Sequence, residues 1–241
     1  MLGLYIGIIL LLNIPYVQHR MSVLVAKELS TVLGSELTVG RINIGLLNRI
    51  IIDDLVLNDQ SGKELLKIGR LSAKFEILPL FSGKISIGNV QLFSFNANLE
   101  RPTPQASTNF QFVLDAFASK DTVKKKSNLD LRINSLLIRR GKVSYDVLSA
   151  ESTPGKFNPQ HIRLSNILAN ISLKALQNDS VNAAIKRMSV EEEHSGFELK
   201  KLSLKIIAND RKMRIENFAI DLPNTSLAVS YTHLRAHETL S

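Results

Sequence analysis

The chain contains no cysteine and no tryptophan, and aromatic residues make up only 6% of its 241 positions. Without cysteine there is no disulfide scaffold, no zinc–thiolate cluster and no cysteine nucleophile. An extracytoplasmic location stays open, because disulfides are permitted there and not required. So few aromatics leave little with which to stack on sugars or bases. Glycine-rich phosphate loops, Gly-x-Ser-x-Gly and His-Glu-x-x-His are missing too, so we expect no catalytic residue, no metal, no cofactor and no enzyme in this stretch of chain. His161 and His194 stand isolated. Asp53 and Asp54 are neighbours, and adjacent strand residues point to opposite faces, so a turn or bulge suits them better than a shared substrate. Glu191, Glu192 and Glu193 read as a solvated charged run.

Hydrophobic residues make up 44% of the chain and charged ones 22%, a balance that folds rather than stays disordered. The net charge is +8, with basic clusters at Lys124–Lys126, Arg139–Arg140 and Lys200–Lys201. None is interleaved with aromatics, which argues against a nucleic-acid platform and for solvated linker or strand-edge positions.

Residues 1–17 carry no charge. A spanning helix needs about 20 apolar residues, the range beginning near 17. With no basic region before it and no small-residue cleavage site, the segment reads as an uncleaved transmembrane anchor. Val17, Met21, Leu24, Val25, Leu29 and Val32 then recur at spacings of three and four, one apolar face of a helix over 18–34 that Gly34 is placed to end. This amphipathic continuation is expected to lie at the membrane or on the first strands.

Beyond Gly34 the period changes to two. The recurring pattern is apolar, any, apolar, polar, polar, apolar, any, apolar. It begins at Leu37, Ile50, Leu66, Ile85, Leu131, Ile162, Phe197 and Met213. At this composition chance supplies about three matches, so eight exceed it. Two alternations separated by an extra polar residue predict a strand with a bulge, which keeps one face apolar along its whole length. The uneven spacing excludes a fixed-period solenoid and predicts an antiparallel meander with variable connections, among them Asn58–Gly62 and 78–83. Arg101-Pro-Thr-Pro104 interrupts the strands, and Phe110, Val113, Leu114 and Phe117 follow on one helical face. That segment predicts a short helix, within about 108–119, plugging one end of the sheet. Ser152–Pro159 reads as a long turn.

Val229-Ser-Tyr-Thr-His-Leu-Arg-Ala-His-Glu-Thr239 resembles the forward-frame translation of a transposase sequencing adapter. The resemblance implies that natural sequence stops at about Ala228, that 229–241 is a non-native tail, and that the chain is the amino-terminal fragment of something longer. His233, His237 and Glu238 are set aside with it.

Leu37-Thr-Val-Gly-Arg-Ile-Asn-Ile44, Ile50-Ile-Ile-Asp-Asp-Leu-Val-Leu57 and Lys84-Ile-Ser-Ile-Gly-Asn-Val-Gln-Leu92, behind an anchor and an amphipathic helix, resemble the start of the AsmA-like superfamily. Within it they are most similar to the TamB-like inner-membrane subunits of the translocation and assembly module, in the form seen in Bacteroides-type bacteria. The resemblance implies a mainly β fold: a curved antiparallel sheet, or β-taco groove, over 35–228, anchored in the inner membrane and reaching across the periplasm. It also implies transport of phospholipid between membranes, support of outer-membrane protein assembly, or both, with an outer-membrane barrel as partner of a carboxy-terminal part. A single sheet with one apolar face must cover that face or leave it for a ligand, and acyl chains suit it. The residues expected to line the groove are Ile50, Ile52, Leu55, Leu57, Ile85, Ile87, Val90 and Leu92. The competing expectation is a structural or adaptor protein whose β core closes on itself and whose surface recruits an envelope assembly partner.

Overall fold

A computed structural model describes residues 3, 7, 10–45, 48–75, 85–117, 129–130, 134–153, 155–177, 180–208 and 212–235. Helix α1 (Pro15–Leu33) starts at a proline, whose fixed φ and missing N–H suit the first helical turn, and ends at Gly34 in the left-handed region. The helix therefore begins three residues before the start at 18 expected from the sequence. Strands β1 (Leu37–Gly45), β2 (Arg49–Asn58), β3 (Glu64–Phe75) and β4 (Ile85–Arg101) follow as a meander. After α2 (Gln111–Phe117) and the short β5 (Leu129–Asp130) come β6 (Ser135–Val147), β7 (His161–Gln177), β8 (Ser180–Glu192), β9 (Phe197–Ala208), β10 (Lys212–Leu222) and β11 (Thr225–Arg235). All described strands belong to one sheet, ordered β1-β2-β3-β4-β6-β7-β8-β9-β10-β11, with β5 ahead of β6 on the same edge of β4.

The sheet is mixed, which corrects the expectation of antiparallel pairing throughout. β6 runs parallel to β4, register Leu92 to Ile138 and Ala97 to Val143. Parallel neighbours need a crossover of a dozen or more residues, and the segment holding α2 supplies it. What reads in sequence as an interruption is the connection that turns the chain round. α2 also plugs one end of the sheet: Phe110, Phe112, Val113 and Ala116 pack on a core of Leu33, Leu37, Leu57 and Leu65. Leu114, expected on the packed face, points outward.

In three of the eight apolar patterns the polar pair marks a kink, at Asp54, Asn166 and Asn217, and two more kinks stand at Ser94 and Arg140 outside the patterns. Asp54, Ser94, Arg140, Asn166 and Asn217 all have φ between 50° and 57° in mid-strand, a left-handed conformation that Asn and Asp tolerate best. Each shifts the side-chain alternation by one, so apolar residues leave the kink on the face by which they entered. Neighbouring strands make room. An added Cβ at Gly40 would stand 3.0 Å from the Asp54 Cβ, and one at Gly69 would stand 3.3 Å from that of Ser94. A left-handed residue on one strand thus faces a glycine on the next.

α1 covers the edge strand β1, and its carboxy-terminal end also packs over one end of the sheet at Leu57 and Leu65. Ser30 accepts from the Leu37 N–H and donates to its carbonyl, Asn13 donates to the Ile44 carbonyl, and Gln18 donates to the Asn43 side chain at 2.6 Å. An open edge needs such partners, because its unpaired backbone groups otherwise recruit other strands. The contact face is accordingly Gln18, Ser22, Leu29 and Leu33. Of the face expected from periodicity, Leu24 and Val32 stay 60% and 57% exposed.

At the opposite edge, β11 pairs with β10 through Lys212 to Arg235, so the strand runs seven residues into the adapter-like segment. Leu227 and Ala228, just before that segment, are exposed, as is Ser230 within it, and backbone pairing at an exposed edge tolerates many sequences. Truncation after Ala228 is expected to leave the thermal midpoint unchanged within error. A clear drop in a melting experiment would make the tail native structure.

Candidate functional site

Following the ladder from edge to edge, Ile42 pairs with Ile52, Ile52 with Leu71, Leu71 with Leu92 and Leu92 with Ile138. The row continues through Ala169, Met188, Leu202, Ile220 and Leu227. One unbroken line of apolar side chains therefore crosses ten strands, about 40 Å at the usual strand spacing. A second row runs beside it: Ile44, Ile50, Ala73, Val90, Leu136, Ile171, Ile185 and Leu204.

Of the eight expected lining residues, Ile50 and Val90 share the second row with Ala73 between them. Ile52 and Leu92 share the first, with Leu71 between them. All four are partly exposed. Leu55 is 8% exposed between Val39 and Ile68. Leu57 departs from the expectation: it sits in the closed core beneath α1 and α2, because the helices cover that end of the face. The side chains of Ile85 and Ile87 lie outside the described residues, as do 78–83 and Lys124–Lys126.

Past the kinks, Ile167, Val190 and Leu199 form a buried cluster, with Phe95, Ile138, Val143, Leu164, Leu202, Ile220 and Leu222 against it. Phe95 reaches across the backbone of Gly141, where an added Cβ would meet the ring at 2.2 Å.

Glu192 corrects the reading of a solvated glutamate run. It stands opposite Leu164 and Phe197, and its side chain is 2% exposed. Burial raises its pKa, but the Ser195 hydroxyl and the N–H groups of Ser195, Arg163 and His194 outweigh burial and hold it at about 2. The carboxylate thus ties the β8–β9 turn and closes the apolar face with a charge already satisfied. Its pKa is depressed from 4.5, so the stability it contributes is present above about pH 4.5 and is lost as pH falls through about 2. Glu192→Gln is expected to cost about 2 kcal/mol near neutrality, with the gap from wild type closing in urea melts as pH approaches 2.

His161 is not isolated. Its Nδ1 lies 2.9 Å from Asp146 and its Nε2 lies 3.0 Å from the Ala150 carbonyl. Two acceptors favour the imidazolium, and the Asp146 and Ala150 hydrogen bonds raise the histidine's pKa. Arg163 donates to the other Asp146 oxygen, so the group reads as a tie between β6, β7 and the turn after Val147. Asp53 pairs with Arg70 at 2.6 Å, and Asp54 occupies the kink. The basic pairs Arg139–Arg140 and Lys200–Lys201 are exposed on β6 and β9. A hollow of about 500 Å³ beside α2 includes Asp59, Glu100 and Asp115. Each of these acids already accepts from Ser61 and Lys63, from Lys63, or from Gln111 respectively. Among the described residues no three His, Asp or Glu side chains converge as a metal set, and no helix is long and apolar enough to cross a membrane.

The feature that remains is the apolar face. No protein-family model matches the chain, and no curated protein matches it, so the face is interpreted from its own chemistry.

Proposed function

We propose that the inner face of the sheet is a trough that carries phospholipid acyl chains. In this reading the chain is the amino-terminal part of an inner-membrane-anchored periplasmic bridge that moves phospholipid between membranes, supports outer-membrane protein assembly, or does both. The observation that carries the proposal is the row from Ile42 to Leu227, apolar on all ten strands, while the described strands form no second sheet to lie over it. Each methylene laid on such a row leaves water with a gain of about 0.8 kcal/mol. The mid-strand kinks support the same reading, since such irregularities bend the strands that carry the face. The anchor over 1–17 belongs to this proposal, and so does the similarity to the AsmA-like superfamily.

A closed-core adaptor is the second reading, favoured by Ile42 and Ala169, each only 3% exposed in the same row. To decide between them, the full chain is purified from a bacterial host in amphipol, passed over gel filtration, and its lipid extracted for mass spectrometry. The trough predicts phospholipid recovered in proportion to protein, above the amount held by a Val90→Arg variant with the same amino-terminal segment. Equal lipid in both, with both folded, would favour the adaptor.

A further inference from the structure

We propose that α1 works in two directions at once, with one side on β1 and the other lying in the headgroup–acyl boundary of a phospholipid bilayer. This rests on the membrane-anchored reading above. The side against the sheet is led by Gln18 and Ser22, whose hydrogen bonds go to Asn13, Asn43 and the helix backbone. Of the helix's apolar stripe, Leu29 packs on the core and Val17, Met21 and Val25 are half-buried, while Leu24 and Val32 are turned away from that contact. Leu24 and Val32 are more than half exposed, and so are Leu10, Leu11 and Tyr16 just upstream. A helix that already seats Leu29 and Leu33 beside Gln18 and Ser22 on its sheet, and still leaves Leu24 and Val32 in water, has a second apolar environment to meet.

Two observations select a bilayer as that environment. Residues 1–17, which lead into the stripe, contain no charged side chain. Arg20 and Lys27 are exposed beside the stripe and form no ion pair among the described residues, and Arg20 lies over the Tyr16 ring at 5.5 Å. Long cationic side chains with a tyrosine at the border match an interfacial helix, which buries its apolar face about 5–10 Å into the boundary while its cations reach the headgroups. Glu28 is the one acid of α1, set on the exposed side a turn after Leu24. Docked in this way, α1 holds edge strand β1, and with it the first end of the apolar row, at the membrane surface.

The absence of tryptophan allows a clean test. Single tryptophans are placed in the full chain as Leu24→Trp, Val32→Trp and, on exposed β8, Lys186→Trp. Each protein is mixed with vesicles of phosphatidylethanolamine and phosphatidylglycerol. Emission at Leu24 and Val32 should shift to the blue and be quenched by brominated acyl chains, with Lys186→Trp unaffected. Glu28→Lys should deepen the quenching and Lys27→Glu should weaken it. Water-like emission from both stripe positions on vesicle-bound protein would overturn the proposal, as would protein that stays free of vesicles. A blue shift that follows protein concentration without vesicles would overturn it in favour of a second copy. Retained quenching with no lipid in the trough would defeat the trough and spare this docking, and the reverse pattern would do the opposite.

Discussion

Val90→Arg should cut phospholipid recovery to the amount held by the amino-terminal segment alone while lowering the thermal midpoint by only a few degrees. Val90 lies in the second row, between Ala73 of β3 and Leu136 of β6, and is partly exposed. Along an open trough an arginine stem can cover its apolar neighbours while the guanidinium reaches water. Acyl chains would then meet a fixed charge across their path. In a closed core the same substitution buries an unpaired cation and costs several kcal/mol. Leu55→Arg separates the two poorly, because Leu55 is already 8% exposed and its replacement should destabilise the fold in either case. Leu92→Arg, in the neighbouring row, provides a second copy of the informative experiment. Loss of folding in both Val90→Arg and Leu92→Arg would remove the trough.

Gly141→Val should cost about 3 kcal/mol, which for a domain of this size corresponds to roughly 6–12 °C in Tm. The cause is one ring: a Cβ at Gly141 overlaps Phe95 at Cε1, Cζ and Cδ1, at 2.2, 2.8 and 2.9 Å. Phe95 cannot swing away cheaply, because it packs on the cluster of Ile167, Val190 and Leu199. Phe95→Leu should recover part of the loss in the double variant, giving a coupling energy on the order of 1 kcal/mol. Additive effects in chemical denaturation would mean that the ring and the glycine backbone do not share this space in solution. The pair joins β4 to β6, the parallel ladder that the α2 crossover creates, so the result also tests that pairing.

The amino-acid sequence determined the apolar face and most of its kinks. Strand alternation has a period of two, so a polar pair between two alternations shows in the chain itself. At Asp53–Asp54, Ser165–Asn166 and Glu216–Asn217 the second residue adopts the left-handed conformation, as Asp and Asn do readily. Ser94 and Arg140 do the same without a sequence signal, since neither residue type favours that region. The pattern instead marked Gly88, which is the extra residue where Lys74 and Phe75 face Asn89 and Ile87. Gly34 and the packing helix were legible for similarly local reasons.

Partnership was not legible, because periodicity says which side of a strand is apolar and nothing about which strand lies beside it. Only the tertiary structure set β6 parallel to β4, brought Ile50 level with Val90, and moved Leu57 under the helices. Glu192 looks in sequence like its solvated neighbours and becomes buried because a turn folds the N–H groups of His194 and Ser195 and the Ser195 hydroxyl onto its carboxylate, with the Arg163 N–H of β7 as a fourth donor. α1 shows the same division within one element. Its apolar stripe is written in the chain, but the side that meets the sheet was decided by the open backbone groups of β1, which take hydrogen bonds from asparagine and serine and have none to gain from leucine.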